Sequence, residues 1–218
     1  NKKDIIYFKN LDTIDKTKVL SVICSTKAYT DDHKARLNFV YKLKEHFQDD
    51  LDWFGAGVNE IDTKWDGISK YKYHIAIENE SRNNLISEKL YDSFLGLTFP
   101  IYYGAPNVGD YFPENSLSKI DIMDQQKSIS IIEECINSKA YENNFKSIIE
   151  SKNIVLKEFN LISRIVKIIK KLELENNTNE KKEIILYNVE HYWNTEVNYK
   201  NKLKHYIKRK LRINVNNY

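Results

Sequence analysis

A chain of 218 residues, 41% hydrophobic and 30% charged, is long and apolar enough for one large folded domain or one and a half small ones, which excludes a disordered polymer. A net charge of +3 excludes a nucleic-acid binder defined by global charge. No run of about 18 apolar residues occurs, so no transmembrane helix is expected, and the start carries no secretory signal pattern. The chain begins with Asn1 rather than Met, as a piece of a longer protein or a processed product would. Cys24 and Cys135 fit no metal or redox spacing. Two cysteines without a framework suit a reducing compartment, with a single disulfide as the open alternative. The expected location is the cytoplasm or the cytoplasmic membrane surface rather than a Golgi-type compartment.

In chain order, residues 1–16 read as a polar lead-in without a period. Lys18 to Cys24 is an apolar run that predicts a buried strand, followed by a turn from Ser25 to Thr30. A helix is expected from Asp31 to Phe47, with Thr30 or Asp31 as its cap and Leu37, Val40, Tyr41, Leu43 and Phe47 as its apolar face. Asp52 to Phe54 predicts a short strand running into Gly55-Ala56-Gly57, a tight turn close to a ligand rather than a dinucleotide fingerprint, since the third glycine is missing.

Tyr73 to Ile77 is almost continuously apolar, as in a parallel strand buried on both faces. Polarity begins abruptly at Glu78 and Asn79. Ile86, Leu90, Phe94 and Leu97 then recur at helical spacing, with Ser87 as a cap, Glu88 in the first turn where the dipole favours a carboxylate, and Gly96 at the helix end. Phe99 to Tyr103 reads as another buried strand, stopped by Gly104 and Pro106. Strand, helix and strand at this length make a right-handed βαβ unit. Beyond it a short strand and turn are expected within Ser116 to Met123, then helices at 128–138, 142–151 and 154–174. The last carries a stripe of Phe159, Ile162, Val166, Ile169 and Leu172, read as core or as packing on a neighbouring domain. Glu175 to Lys182 is loop-like, and Ile184 to Trp193 is aromatic and fits strand or helix. Lys200 to Arg212 is a basic run without an acid; solvation is its plain reading and peripheral membrane contact the sharper one, with nucleic acid set aside as a partner. The expected division is a lead-in over 1–16, a Rossmann-like α/β domain over 17–153, and a helical extension with a basic tail over 154–218.

Ligands of open α/β sheets bind beyond the carboxyl ends of the strands, which puts Asn79 through Lys89 at the crevice, with the helix amides facing a diphosphate. A nucleoside diphosphate sugar needs cations for the diphosphate, a carboxylate for the ribose hydroxyls and a polar loop for the base. Lys89 supplies a point charge and Glu88 an acceptor at one helix start, and Arg36 offers a planar fork from the preceding helix. Read as plain structure, Glu88 is a favourable first-turn charge, and Lys89 and Arg36 are surface cations. His74 reads as a core or edge histidine; Tyr102 and Tyr103 pack in the sheet with hydroxyls near the site, and Glu78 ends a strand. No metal-ligand cluster stands out.

Ile77-Glu78-Asn79, Leu85-Ile86-Ser87-Glu88-Lys89, Pro100 to Pro106 and Tyr111 to Ser116 together resemble the donor-binding signature of the α1,3-fucosyltransferases, glycosyltransferase family 10. Asp31 to Leu43 resembles the family's arginine-bearing helix, and Trp53 to Gly57 its glycine turn; the resemblance covers about residues 17–125. It implies the C-terminal half of a GT-B fold and GDP-fucose as donor, with no obligatory cofactor or metal. By position it gives Glu88 to the ribose, Lys89 and Arg36 to the diphosphate, and Asn79 and Ser87 to the donor site, with Gly55, Gly57, Glu78, Tyr102 and Tyr103 as further pocket candidates. It implies inverting transfer of fucose to a hydroxyl of a glycan on a polysaccharide, lipid or protein. The catalytic base would come from an acceptor domain, upstream or in a partner, so no catalytic residue is assigned. Leu85 stands where the family has tyrosine, and Tyr103 where it has tryptophan. Transfer of another GDP-deoxysugar, or a catalytically incomplete nucleotide-sugar-binding or assembly module, are the alternatives.

Overall fold

The computed structural model describes residues 3–175. The expectations for 176–182, Ile184–Trp193 and the basic tail Lys200–Arg212 fall outside the described residues. Two compact units divide between Ile168 and Ile169, and the sheet lies in the first.

Five parallel strands, β1 (Lys18–Ile23), β2 (Leu51–Phe54), β3 (Tyr71–Ile77), β4 (Phe99–Tyr103) and β5 (Ser118–Lys119), stand in the order β2-β1-β3-β4-β5. The central strand β3 pairs His74 with Ser21 on one side and with Pro100 on the other. Its mostly apolar sequence, interrupted by Lys72 and His74, follows from burial on both faces, where each filled apolar position contributes about 1.5–3 kcal/mol. Cys24 lies just past β1, yet its N–H still donates to the Phe54 carbonyl at 2.8 Å.

Helix α1 (Ile5–Lys9) precedes the sheet, α2 (Asp31–Phe47) follows β1, and α3 (Glu88–Leu95) follows β3. The connection from β2 to β3 contains only a 3-10 turn, Lys64–Gly67. Thr30 caps α2 through its hydroxyl, as the sequence suggests. The buried face of α2 is Arg36, Phe39, Val40 and Leu43. Tyr41, assigned to that face from sequence, is instead half exposed and meets Trp53 edge-on at 5.0 Å.

Four further sequence expectations change. The lead-in is structured: Asp4 caps α1, Leu11 and Ile14 pack on the core, and Lys16 Nζ donates to the Ser69 and Gly96 carbonyls and to Thr98 Oγ1 at 2.9, 2.7 and 2.9 Å. Single side chains do this work, which leaves no period to read. Asp124 caps α4 (Gln125–Asn137), starting it three residues before the expected Ser128. The helix expected at 142–151 is two, α5 (Ala140–Asn143) and α6 (Phe145–Ile154). The helix expected at 154–174 is broken: a π-helical turn, Val155–Phe159, leads to an extended Asn160, and α7 (Leu161–Glu175) starts afresh. The break turns Phe159 inward to stack on Phe112, with centroids 5.5 Å apart. Val166 remains 42% exposed, so the stripe is not one core face.

Candidate functional site

In this strand order the chain reverses direction across the sheet between β1 and β3, and that switch point opens a crevice at the strand ends. The turns after β1 and β3 and the starts of α2 and α3 converge there. Arg36 reaches it from α2. It lies on the core-facing stripe with Phe39, Val40 and Leu43, which leaves it only 8% exposed. Its Nη1 donates to Asn79 Oδ1 at 2.5 Å, and its buried Nε has no hydrogen-bond partner among the described residues. Burial pushes the neighbouring Cys24 thiol pKa up, while Arg36 works against that shift.

Glu78 closes β3 and is 2% exposed. Its Oε1 accepts from Ser87 N–H and Ser87 Oγ, both at 2.8 Å; its Oε2 accepts from Ser87 Oγ at 2.7 Å and Lys89 Nζ at 3.3 Å. Ser87 is the N-cap of α3, accepting the Lys89 N–H at 3.3 Å, and its Oγ also accepts from Lys89 Nζ at 3.2 Å. One buried carboxylate therefore fixes both the helix start and its cation. Gly104 makes room for this: a Cβ there would lie 2.6 Å from Glu78 Cγ and against the Tyr102 hydroxyl.

Glu88 points to the more open side. Lys64, from the 3-10 turn, reaches Glu88 Oε1 and Asp92 Oδ2, each at 3.3 Å, and Lys89 Nζ is 3.7 Å from Glu88. Partial burial raises the Glu88 pKa, but Lys89 and then Lys64 outweigh it, leaving the carboxyl below its ordinary value. Burial lifts Asp92 above its ordinary value against the pull of Lys64. Lys64 has no motif of its own. The readable signal was Glu88 and Asp92, two acids four residues apart on one helix face, which call for a cation. Beneath them a cavity of about 90 Å³ runs down to His74. Burial, with Lys64 and Lys16 nearby, pulls the His74 pKa down to about 3, and its Nδ1 lies 2.8 Å from Ser21 Oγ.

The other candidates serve as supports. Gly55 (φ 141°) and Gly57 (φ 86°) make the turn after β2, and a Cβ on Gly55 would meet the Cys24 carbonyl at 2.5 Å. Tyr102 is 1% exposed; its hydroxyl donates to the Leu85 carbonyl at 3.3 Å and accepts from Ala105 N–H at 3.0 Å, so it braces the loop from below. Tyr103 is half buried at the end of β4, its carbonyl accepting the Glu78 N–H at 2.8 Å. The structure thus brings Arg36, Asn79, Ser87, Glu88 and Lys89 to one crevice, with Glu78 underneath. The two cations, Arg36 and Lys89, can hold a diphosphate there, and Glu88 can accept from vicinal hydroxyls.

A family model described as glycosyltransferase family 10 (fucosyltransferase), C-terminal, matches residues 14–146. Among curated relatives, alpha-(1,3)-fucosyltransferase B of Drosophila melanogaster is 36% identical over 66 residues, 30% of this chain and 15% of that protein. The Helicobacter pylori alpha-(1,3)-fucosyltransferase FucT is 29% identical over 73 residues, 33% of this chain and 15% of that protein. The solved structure of an alpha1,3-fucosyltransferase with GDP-fucose superposes with a TM-score of 0.52 at 20% identity, covering 76% of this chain and 50% of that one. A second, with GDP, gives a TM-score of 0.54 at 22% identity over 74% and 48%. The chain spans about half the length of these solved chains and a smaller share of the curated relatives it matches. The shared fold is the Rossmann-like C-terminal half of a GT-B architecture.

Proposed function

The chain belongs to glycosyltransferase family 10, and from that premise we propose that it is the donor-binding half of an inverting fucosyltransferase that takes GDP-fucose and delivers fucose to a glycan hydroxyl. The observation that carries this reading is the convergence of Arg36 and Lys89 from the two sides of the β1/β3 switch point, with Glu88 beside them. In this reading the Arg36 guanidinium and the Lys89 ammonium take the diphosphate oxygens, and Glu88 accepts from the ribose hydroxyls. Asn79 keeps the Arg36 fork aligned. As the bond from fucose C1 to the GDP oxygen breaks, charge grows on the leaving diphosphate. These fixed donors stabilise that charge more than they stabilise the ground state, which is the source of rate. The acceptor hydroxyl attacks C1 from the opposite face and loses its proton to a carboxylate of the acceptor domain, upstream or in a partner.

Leu85, half buried where the family has tyrosine, supports a second reading within the same chemistry: transfer of a different GDP-deoxysugar. Membrane association rests on the Lys200–Arg212 run alone; among the described residues no helix is long and apolar enough to cross a membrane. Sedimentation with anionic vesicles tests that part.

The transfer assay follows GDP release by the full-length protein supplied with a panel of saccharide acceptors and either GDP-fucose or GDP-mannose. Fucose-dependent release that disappears in Lys89→Ala supports the reading. Equal release from both donors contradicts the sugar assignment, and acceptor-independent silence with either donor contradicts the transferase.

A further inference from the structure

Between Asn79 and α3, residues 84–87 have no regular structure, yet each is tied by its main chain to a side chain from elsewhere. Asn84 N–H donates to Asn107 Oδ1 at 2.9 Å, the Leu85 carbonyl accepts from Tyr102, the Ile86 carbonyl accepts from the Tyr91 hydroxyl at 3.1 Å, and Ser87 N–H donates to Glu78. Asn84 also holds φ at 66°, in the left-handed region that asparagine tolerates better than most residues. Its Oδ1 accepts from Asn107 Nδ2 at 2.8 Å and from the Tyr111 hydroxyl at 2.5 Å. Behind this cluster, Phe159 lies 5.9 Å from the Tyr111 ring and 5.0 Å from Tyr91, so the inward turn of the π-helical segment backs the same loop.

The bonds around Asn84 are exposed to water and add little to stability. What they do is select one loop conformation among many. We propose that Asn107 and Tyr111 are positioning residues: acting through Asn84, they hold residues 84–87 in the binding conformation before a nucleoside diphosphate arrives. Glu88 and Lys89 then meet the ligand without an ordering cost. The inference rests on the nucleotide reading of the crevice.

The test compares the full-length protein with a variant carrying Asn107→Ala and Tyr111→Phe. Tyr111→Phe keeps the ring against Phe159 and removes only the hydroxyl. Amide hydrogen exchange at residues 84–87 is read without ligand, thermal unfolding is read in parallel, and GDP affinity is read by calorimetry. Faster exchange confined to the loop, an unchanged melting temperature and a Kd for GDP raised about tenfold are expected, the last if the competent loop population falls to about a tenth. Unchanged exchange and unchanged Kd overturn the proposal. Loss of protection across the sheet also overturns it, since the role would then be structural. A wild-type protein that binds no GDP defeats the nucleotide reading itself, an outcome told apart because it needs no variant.

Discussion

The Glu78 carboxylate and the Lys89 ammonium lie 3.3 Å apart, and the same carboxylate accepts both the N–H and the hydroxyl of the intervening helix cap, Ser87. A buried acid thereby sets the angle of α3 and the place of its first cation together. Glu78→Gln keeps the shape and removes the charge. It is expected to cost about 1–3 kcal/mol of stability, because Lys89 and Ser87 lose a charge-assisted acceptor. Urea unfolding measures the cost, and a midpoint equal to wild type would contradict the role given to this carboxylate.

Arg36 is bound to Asn79 through one nitrogen and keeps another unpartnered. A lysine at this position brings the charge without the fork. Arg36→Lys is therefore expected to weaken GDP binding nearly as much as Arg36→Ala does. Full retention of affinity by the lysine variant, measured by competition against a fluorescent GDP analogue, would show that only charge matters.

Gly104 permits the close approach of Glu78 and Tyr102. Gly104→Ala forces one of them to move, with an expected destabilisation of about 1–3 kcal/mol. Circular dichroism melting should show it, together with weakened GDP binding, because Glu78 carries the helix cap. A melting curve superposable on wild type would mean that the site has slack the geometry does not suggest.

His74 gives the pH dependence a sign. Its folded pKa is pulled down to about 3 from an ordinary value of 6.5 by burial, with Lys64 and Lys16 adding to the shift. Between those values the unfolded chain binds a proton that the folded chain refuses, so stability falls as pH drops from about 6.5 towards 3. The His74 contribution approaches about 1.4 kcal/mol per pH unit within that window. His74→Asn keeps a polar atom near Ser21 and removes the titration. Denaturation at a series of pH values should give wild type a steeper acid slope than the variant, and parallel slopes would count against a neutral buried histidine.

The parallel core is legible because β1, β3 and β4 are mostly apolar runs, and the α3 start because Ser87, Glu88 and Gly96 carry ordinary cap and dipole signals. Arg36 is legible as a candidate, and its spacing from Phe39, Val40 and Leu43 places it on the buried stripe rather than among surface cations. Glu78 reads from sequence as a pocket candidate at a strand end; its burial under the crevice depends on partners that β4 and α3 supply together. Lys64 was invisible because it joins Glu88 from 24 residues away through a turn with no periodic pattern. The break at Asn160 was missed because an apolar stripe records which residues prefer burial, while the ring stack of Phe159 on Phe112 decides where the helix must bend.

The most direct test of the donor site is calorimetric titration of the full-length protein with GDP and with UDP, repeated on Lys89→Ala and Glu88→Ala. GDP-selective binding is expected in wild type. Each variant should remain folded and lose roughly 1.5–3 kcal/mol of binding free energy. Equal affinity for GDP and UDP, or GDP binding untouched in both folded variants, would contradict the placement of the nucleotide at the start of α3.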